Sequence, residues 1–165
     1  MTATYRVLVA AEDPLARAGL GNLIEIDPSI EVVARVDAAE TLEASIEAFV
    51  PEVVVLDTGW DPDDVLDSLA NRDTNVRWVV LVPDESRGID AFTAGADAIL
   101  LRDASSDMLA AAIRAVVENL RALAPQIADA IDSPESRSQP SESPELTRRE
   151  TEVLKLVAEG QSNKE

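Results

Sequence analysis

The 165-residue chain contains no cysteine and no histidine. The first absence excludes disulfides, thiolate metal sites and cysteine nucleophiles. The second removes the commonest general base and the commonest metal ligand. Aromatic residues are scarce at 3%, so any core has to be built from aliphatic side chains. Basic residues are few as well: 14 Lys and Arg stand against 32 Asp and Glu, a formal net charge of −18. Such a charge repels nucleic acid and anionic membrane. It can also serve solubility alone. No long apolar run precedes the first strand in Met1–Arg6. Without a signal peptide or membrane span there, a cytoplasmic protein with no membrane partner is expected.

What is present alternates. Arg6–Ala10 is a short apolar run, the form of a strand buried on both faces. Asp13-Pro14 supplies an N-cap and a proline at the first helical position. Ala16, Leu20, Leu23 and Ile24 then predict a helix to about Ile26. Ile30–Val36 is the second strand, and a helix from about Ala38 to Phe49 should bury Ala39, Leu42, Ile46 and Phe49. Val53–Leu56 is the third and most apolar strand, ending at the loop Asp57-Thr58-Gly59-Trp60. Asp61-Pro62 repeats the capping signal and opens a helix carrying Val65, Leu66 and Leu69. Arg77–Val82 is the fourth strand, and a short helix over Ser86–Ala94 presents Ile89 and Phe92. Ala98–Leu101 is the fifth strand. A helix from Ser105 or Ser106 follows, burying Leu109, Ile113 and Val116, with Asn119 as a left-handed cap.

Five strand–helix alternations with no hairpin spacing predict a parallel sheet with helices on both faces. Rossmann-like and flavodoxin-like strand orders both fit this pattern. The missing G-x-G-x-x-G turn after the first strand favours the flavodoxin-like doubly wound (βα)5 sheet. Chemistry in such sheets sits at the carboxyl ends of the strands, here Ala11–Glu12, Asp57, Val82–Pro83 and Arg102. A carboxylate at Asp57 can cap a loop, bind a metal or act as a nucleophile toward phosphorus.

After Pro125 a short helix to about Ile131 is expected, then a Ser/Pro/Glu-rich linker over Ser133–Pro144. From Leu146 the pattern becomes helical again. Thr147–Glu150 is a capping box, with Val153, Leu154 and Val157 on one face, and Ser162–Glu165 is a second capping box. Residues 1–124 are therefore expected to form the first domain, 125–145 a linker, and 146–165 the start of a helical domain that is expected to continue in a longer protein.

Val7–Leu20, VLVAAEDPLARAGL, resembles the first strand and helix of receiver domains in bacterial response regulators of the NarL/FixJ class. Pro51–Asp57, PEVVVLD, resembles the segment ending in that family's phosphoacceptor aspartate. Gly95–Asp103, GADAILLRD, resembles the fifth strand and its lysine. Leu146–Glu165, LTRRETEVLKLVAEGQSNKE, is similar to the opening of a LuxR-type helix-turn-helix, stopping before the base-reading helix. By that resemblance Asp57 is the phosphoacceptor and Glu12 the second acid of the pocket. Glu12 and Asp57 are the side chains left to hold magnesium, which is not expected to be required. Other positions depart from the pattern. Ala11 replaces the first acid, Val82 the switch hydroxyl, Ile99 the sensing aromatic and Arg102 the lysine.

These losses touch metal binding, phosphoryl stabilisation and relay together. The expectation is a transcriptional regulator with an atypical receiver that works without aspartyl phosphorylation, through dimerisation or partner contacts. The resemblance implies a homodimer, a histidine kinase or other regulatory partner, and DNA bound by residues beyond Glu165. No DNA-binding residue is assigned within this chain. A conventional phosphorylation switch at Asp57 is the alternative, as is a binding module with Trp60 and Val82 as an apolar pocket lining. Without histidine, cysteine or a glycine-rich phosphate loop, no catalytic set is assembled, and an enzyme is not expected.

Overall fold

Six parallel strands form one sheet in the order β2-β1-β3-β4-β5-β6 in the computed structural model, which describes residues 4–38, 41–59, 69 and 76–133. The strands are β1 (Tyr5–Ala11), β2 (Ile30–Val36), β3 (Val53–Asp57), β4 (Arg77–Val82), β5 (Ala98–Leu101) and β6 (Ala122–Leu123). The first five follow the flavodoxin-like order, which moves outward in both directions from the β1/β3 pair. That reversal opens a crevice at the carboxyl edge between β1 and β3, and Asp57 ends β3 there.

β3 shows why the sheet is doubly covered. Val53, Val54, Val55 and Leu56 are all 0–1% exposed, although successive side chains point to opposite faces. Both faces are therefore dry. The described helices are α1 (Pro14–Ile24), α2 (Leu42–Phe49), α3 (Glu85–Thr93), α4 (Ser106–Val117) and α5 (Pro125–Asp132). α1 and α4 pack against each other, α1 over β1 and β2 and α4 over β3 to β5. α2 lies on β1 and β2, and α3 on β4 and β5.

Local chemistry sets the helix ends. The Asp13 carboxylate accepts from the N–H groups of Leu15 and Ala16 at 2.7 and 2.8 Å, with Pro14 at the first helical position. Asp84 caps α3 by accepting from Arg87 N–H, and the Ser105 hydroxyl caps α4 by accepting from Met108 N–H. Past α4, Asn119 takes φ 61, and Leu120 N–H reaches back to the Ala115 carbonyl at 2.9 Å, closing the helix.

Several expected core positions differ. Phe49, the last residue of α2, is 41% exposed and Leu42 is half-buried, while Ala39 lies outside the described residues; Leu23, near the end of α1, is also 41% exposed. On α3 the buried residues are Gly88 and Ala91, while Ile89 and Phe92 are half-buried. The small residues let the helix approach closely: a β-carbon on Gly88 would lie 2.9 Å from Ile127. Ile127 of α5 is fully buried in the core. α5 thus packs with the first compact unit, which runs through Ile131. The expected helix after Asp61-Pro62 lies outside the described residues, apart from Leu69, which is helical and buried. The Ser/Pro/Glu-rich segment and Leu146–Glu165 also lie outside them.

Candidate functional site

The register of β3 sets Asp57 beside Ala11 of β1 on one side and Leu81 of β4 on the other. Asp57 is only 6% exposed, and a carboxylate taken out of water has to be paired. Arg102, one residue past β5, pairs it. Its Nε donates to Oδ1 at 2.8 Å and its Nη2 to Oδ2 at 2.9 Å. Both carboxylate oxygens thus face one planar guanidinium fork, an arrangement that an ammonium group cannot make. The Arg102 backbone N–H is tied to the Val82 carbonyl at 3.0 Å, so the fork starts from an anchored position.

The turn after Asp57 adds a third donor. Gly59 N–H reaches Oδ1 at 3.1 Å, with Gly59 at φ 69, a conformation that glycine adopts without strain. Thr58 is buried, and both its N–H and its hydroxyl donate to the Leu81 carbonyl, at 3.1 and 3.0 Å. That double bond stitches the end of β3 to β4 and holds the Asp57 backbone still.

On the other side of Asp57, Ala11 is 1% exposed and brings no charge. A second guanidinium reaches this edge: Arg17 Nη1 donates to the Ala11 carbonyl at 2.8 Å and lies 3.4 Å from Asp37. Glu12 is exposed just past β1. Val82 and Ile99 are fully buried apolar side chains. Ile99 also lies beneath an edge that the sequence did not reveal, since β6 pairs with β5 through Ala98 and Ile99.

A hard divalent cation wants about six oxygen ligands. Among the described residues no three acidic side chains converge to hold one. Both Asp57 oxygens are turned to a guanidinium, and position 11 offers no carboxylate. This donor set does not fit a magnesium ion.

The pocket expected at Trp60 and Val82 falls partly outside the described residues. A cavity of about 500 Å³ opens beside the Asp57–Arg102 pair between α1 and α4, with Leu20, Leu81 and Leu109 among its walls. Val82 does not line it, because the alternation of β4 gives that place to Leu81. Trp60 is outside the described residues. Arg17 and Gly19 were the informative residues missed. A glycine in mid-helix was the available signal for the second.

A flavodoxin-like parallel sheet with a buried aspartate closing β3, and a cation brought to it from the end of β5, defines the receiver class of α/β domains. No family model matches the chain. The nitrate/nitrite response regulator protein homolog of Haemophilus influenzae is 31% identical over 167 residues, spanning 97% of this chain and 78% of that protein. The nitrate/nitrite response regulator NarP of Escherichia coli is 31% identical over 169 residues, spanning 98% and 78%. The crystal structure of a LuxR-family two-component response regulator from Aurantimonas sp. SI85-9A1 superposes with a TM-score of 0.67 at 28% identity, over 82% of this chain and 99% of that one. The chain belongs to the response regulators of two-component systems, in the branch that regulates transcription.

Proposed function

We propose that this chain is an atypical receiver that regulates transcription without phosphorylation of Asp57. The observation that carries the proposal is the bidentate Arg102–Asp57 pair at 2.8 and 2.9 Å. An aspartyl nucleophile needs one free oxygen and a metal beside it to gather charge as phosphorus approaches. Here both oxygens are already held by an internal guanidinium. Attack would require breaking the fork, in a pocket where Ala11 brings no second acid and Val82 no hydroxyl. Ile99, at the position the resemblance assigns to the sensing aromatic, is fully buried and has no polar group to relay a change.

In this reading Arg102 replaces the switch with a permanent ion pair. The receiver then serves as a constant docking and dimerising platform. Its output is carried by a LuxR-type helix-turn-helix that begins near Leu146, joined through a linker. The whole protein is expected to be cytoplasmic and to bind DNA as a homodimer, with half-sites about one helical turn apart. A regulatory protein other than a phosphodonor kinase would adjust it.

The test uses the protein with its complete output domain in a gel shift on its own promoter and on genomic fragments. Asp57→Asn keeps an oxygen for Arg102 and removes the nucleophile. Its DNA affinity is expected to match wild type, with or without acetyl phosphate. A wild-type affinity that rises with acetyl phosphate, while the variant's does not, overturns the proposal and restores the conventional switch.

A further inference from the structure

α1 contains two glycines in its interior, and they differ in a way that points to a second site. A β-carbon on Gly21 would crowd the guanidinium end of the Arg35 side chain, so that glycine has a packing contact beside it. Among the described residues a β-carbon on Gly19 would meet nothing within 4 Å. Glycine inside a helix is destabilising relative to alanine, and no described neighbour of α1 accounts for it at position 19. What Gly19 borders is the cavity of about 500 Å³ between α1 and α4. That volume lies in the range of small-molecule pockets.

The walls define the ligand. Leu20, Leu81 and Leu109 are 8%, 4% and 1% exposed and make an apolar floor. The polar rim consists of the Asp57–Arg102 pair and Asp103. Arg102 already has both Asp57 oxygens on its fork, and Arg17 lies against Asp37. Asp103 is exposed, with no ion pair among the described residues. The helix N-termini offer an anion little, because Asp13 and the Ser105 hydroxyl already take N–H groups of α1 and α4, and Asp107 sits in the first turn of α4. The rim is therefore net negative on a chain of charge −18, which raises the local concentration of cations.

We infer that the cavity between α1 and α4 binds a small amphipathic amine, its apolar body against Leu20, Leu81 and Leu109 and its ammonium group beside Asp103. Gly19 keeps the space open. The site stands whether or not Asp57 accepts a phosphoryl group. It also bears on the receiver's surface, because α1 and α4 carry the exposed apolar residues Leu15, Leu23 and Met108.

Tryptamine and indolepropionate share an indole body and carry opposite charges, so they serve as paired probes in an NMR titration of the chain. Tryptamine is expected to shift the amides of Gly19, Leu20 and Ala104 saturably, and indolepropionate at equal concentration to leave them in place. Gly19→Leu fills the cavity with a better helix former. It should keep the fold and hold or raise the thermal midpoint, while weakening tryptamine about tenfold or more. Asp103→Asn, which leaves the cavity open, should weaken it about two- to fivefold, as for a partly exposed ion pair. Tryptamine shifts elsewhere, equal binding of indolepropionate, or full binding by a folded Gly19→Leu variant would each overturn the assignment. So would a change in oligomeric mass on Gly19→Leu with no tryptamine response, which would make the groove an interface between copies.

Discussion

Removing the guanidinium from Asp57 is the perturbation with the clearest magnitude. In Arg102→Ala the carboxylate, with its side chain 7% exposed, keeps only the Gly59 N–H of the three donors described. Breaking a fully buried ion pair from one side costs about 3–5 kcal/mol, and a solvent-exposed pair is worth about 0–1. Arg102 is 21% exposed, which places the cost between these, at about 2–3 kcal/mol. Urea unfolding followed by tryptophan emission should show the midpoint falling by about 1–2 M with an unchanged slope. Arg102→Lys keeps the charge and loses the fork, so its cost should be smaller. A double-mutant cycle with Asp57→Ala isolates the pair, and a coupling of at least about 1 kcal/mol is expected. If both single variants unfold within about 0.5 kcal/mol of wild type and show no coupling, Arg102 does not hold Asp57, and the reasoning fails.

Three further perturbations probe other parts of the molecule. The Asp84 carboxyl is held below the usual carboxylate range, first by the Ser86 hydroxyl and then by Arg87 N–H. Its lowered folded value means that its contribution is present at neutral pH and is lost as pH falls through that value. Asp84→Ala should accordingly cost about 1 kcal/mol at neutral pH and progressively less in acid, read by urea titration at both. Val50 sits at φ 45 and ψ 60 ahead of Pro51, an expensive conformation for a β-branched residue. Val50→Asn should raise the thermal midpoint, by about 1 kcal/mol in stability, and an unchanged midpoint counts against the strain. Ile127→Ala should cost about 2–4 kcal/mol, while a loss below about 1 would mean that α5 is not docked in the core.

Much of this architecture was legible from local chemistry. The bounds of β2, β4 and β5 follow from apolar runs interrupted by charge or proline, and Asp13-Pro14 announces α1 through capping alone. Misses came where tertiary context decides. Phe49 has a core-forming side chain but stands at the last residue of α2, and Leu23 lines the open cavity beside α1. Gly88 and Ala91 look too small to define a face, yet they allow the approach of Ile127. β6 is two residues long, too short for any periodicity. At the candidate site, the sequence aligned Asp57 and Arg102 as isolated positions. Their fork spans 45 residues and depends on how the end of β5 is anchored to β4, which no local pattern contains. The space beside Gly19 depends likewise on two helices packing across a gap.

The chemistry withheld from Asp57 should also be recoverable. Replacing Ala11→Asp, Val82→Thr and Arg102→Lys together returns an acid, a hydroxyl and a point charge to the pocket. The most direct measurement is the intact mass of both proteins after incubation with magnesium and acetyl phosphate. Wild-type protein is expected to keep its mass and the triple variant to gain one phosphoryl group. A stoichiometric phosphoryl gain by wild type, abolished by Asp57→Asn, would contradict the claim that the Arg102 fork keeps Asp57 out of phosphoryl transfer.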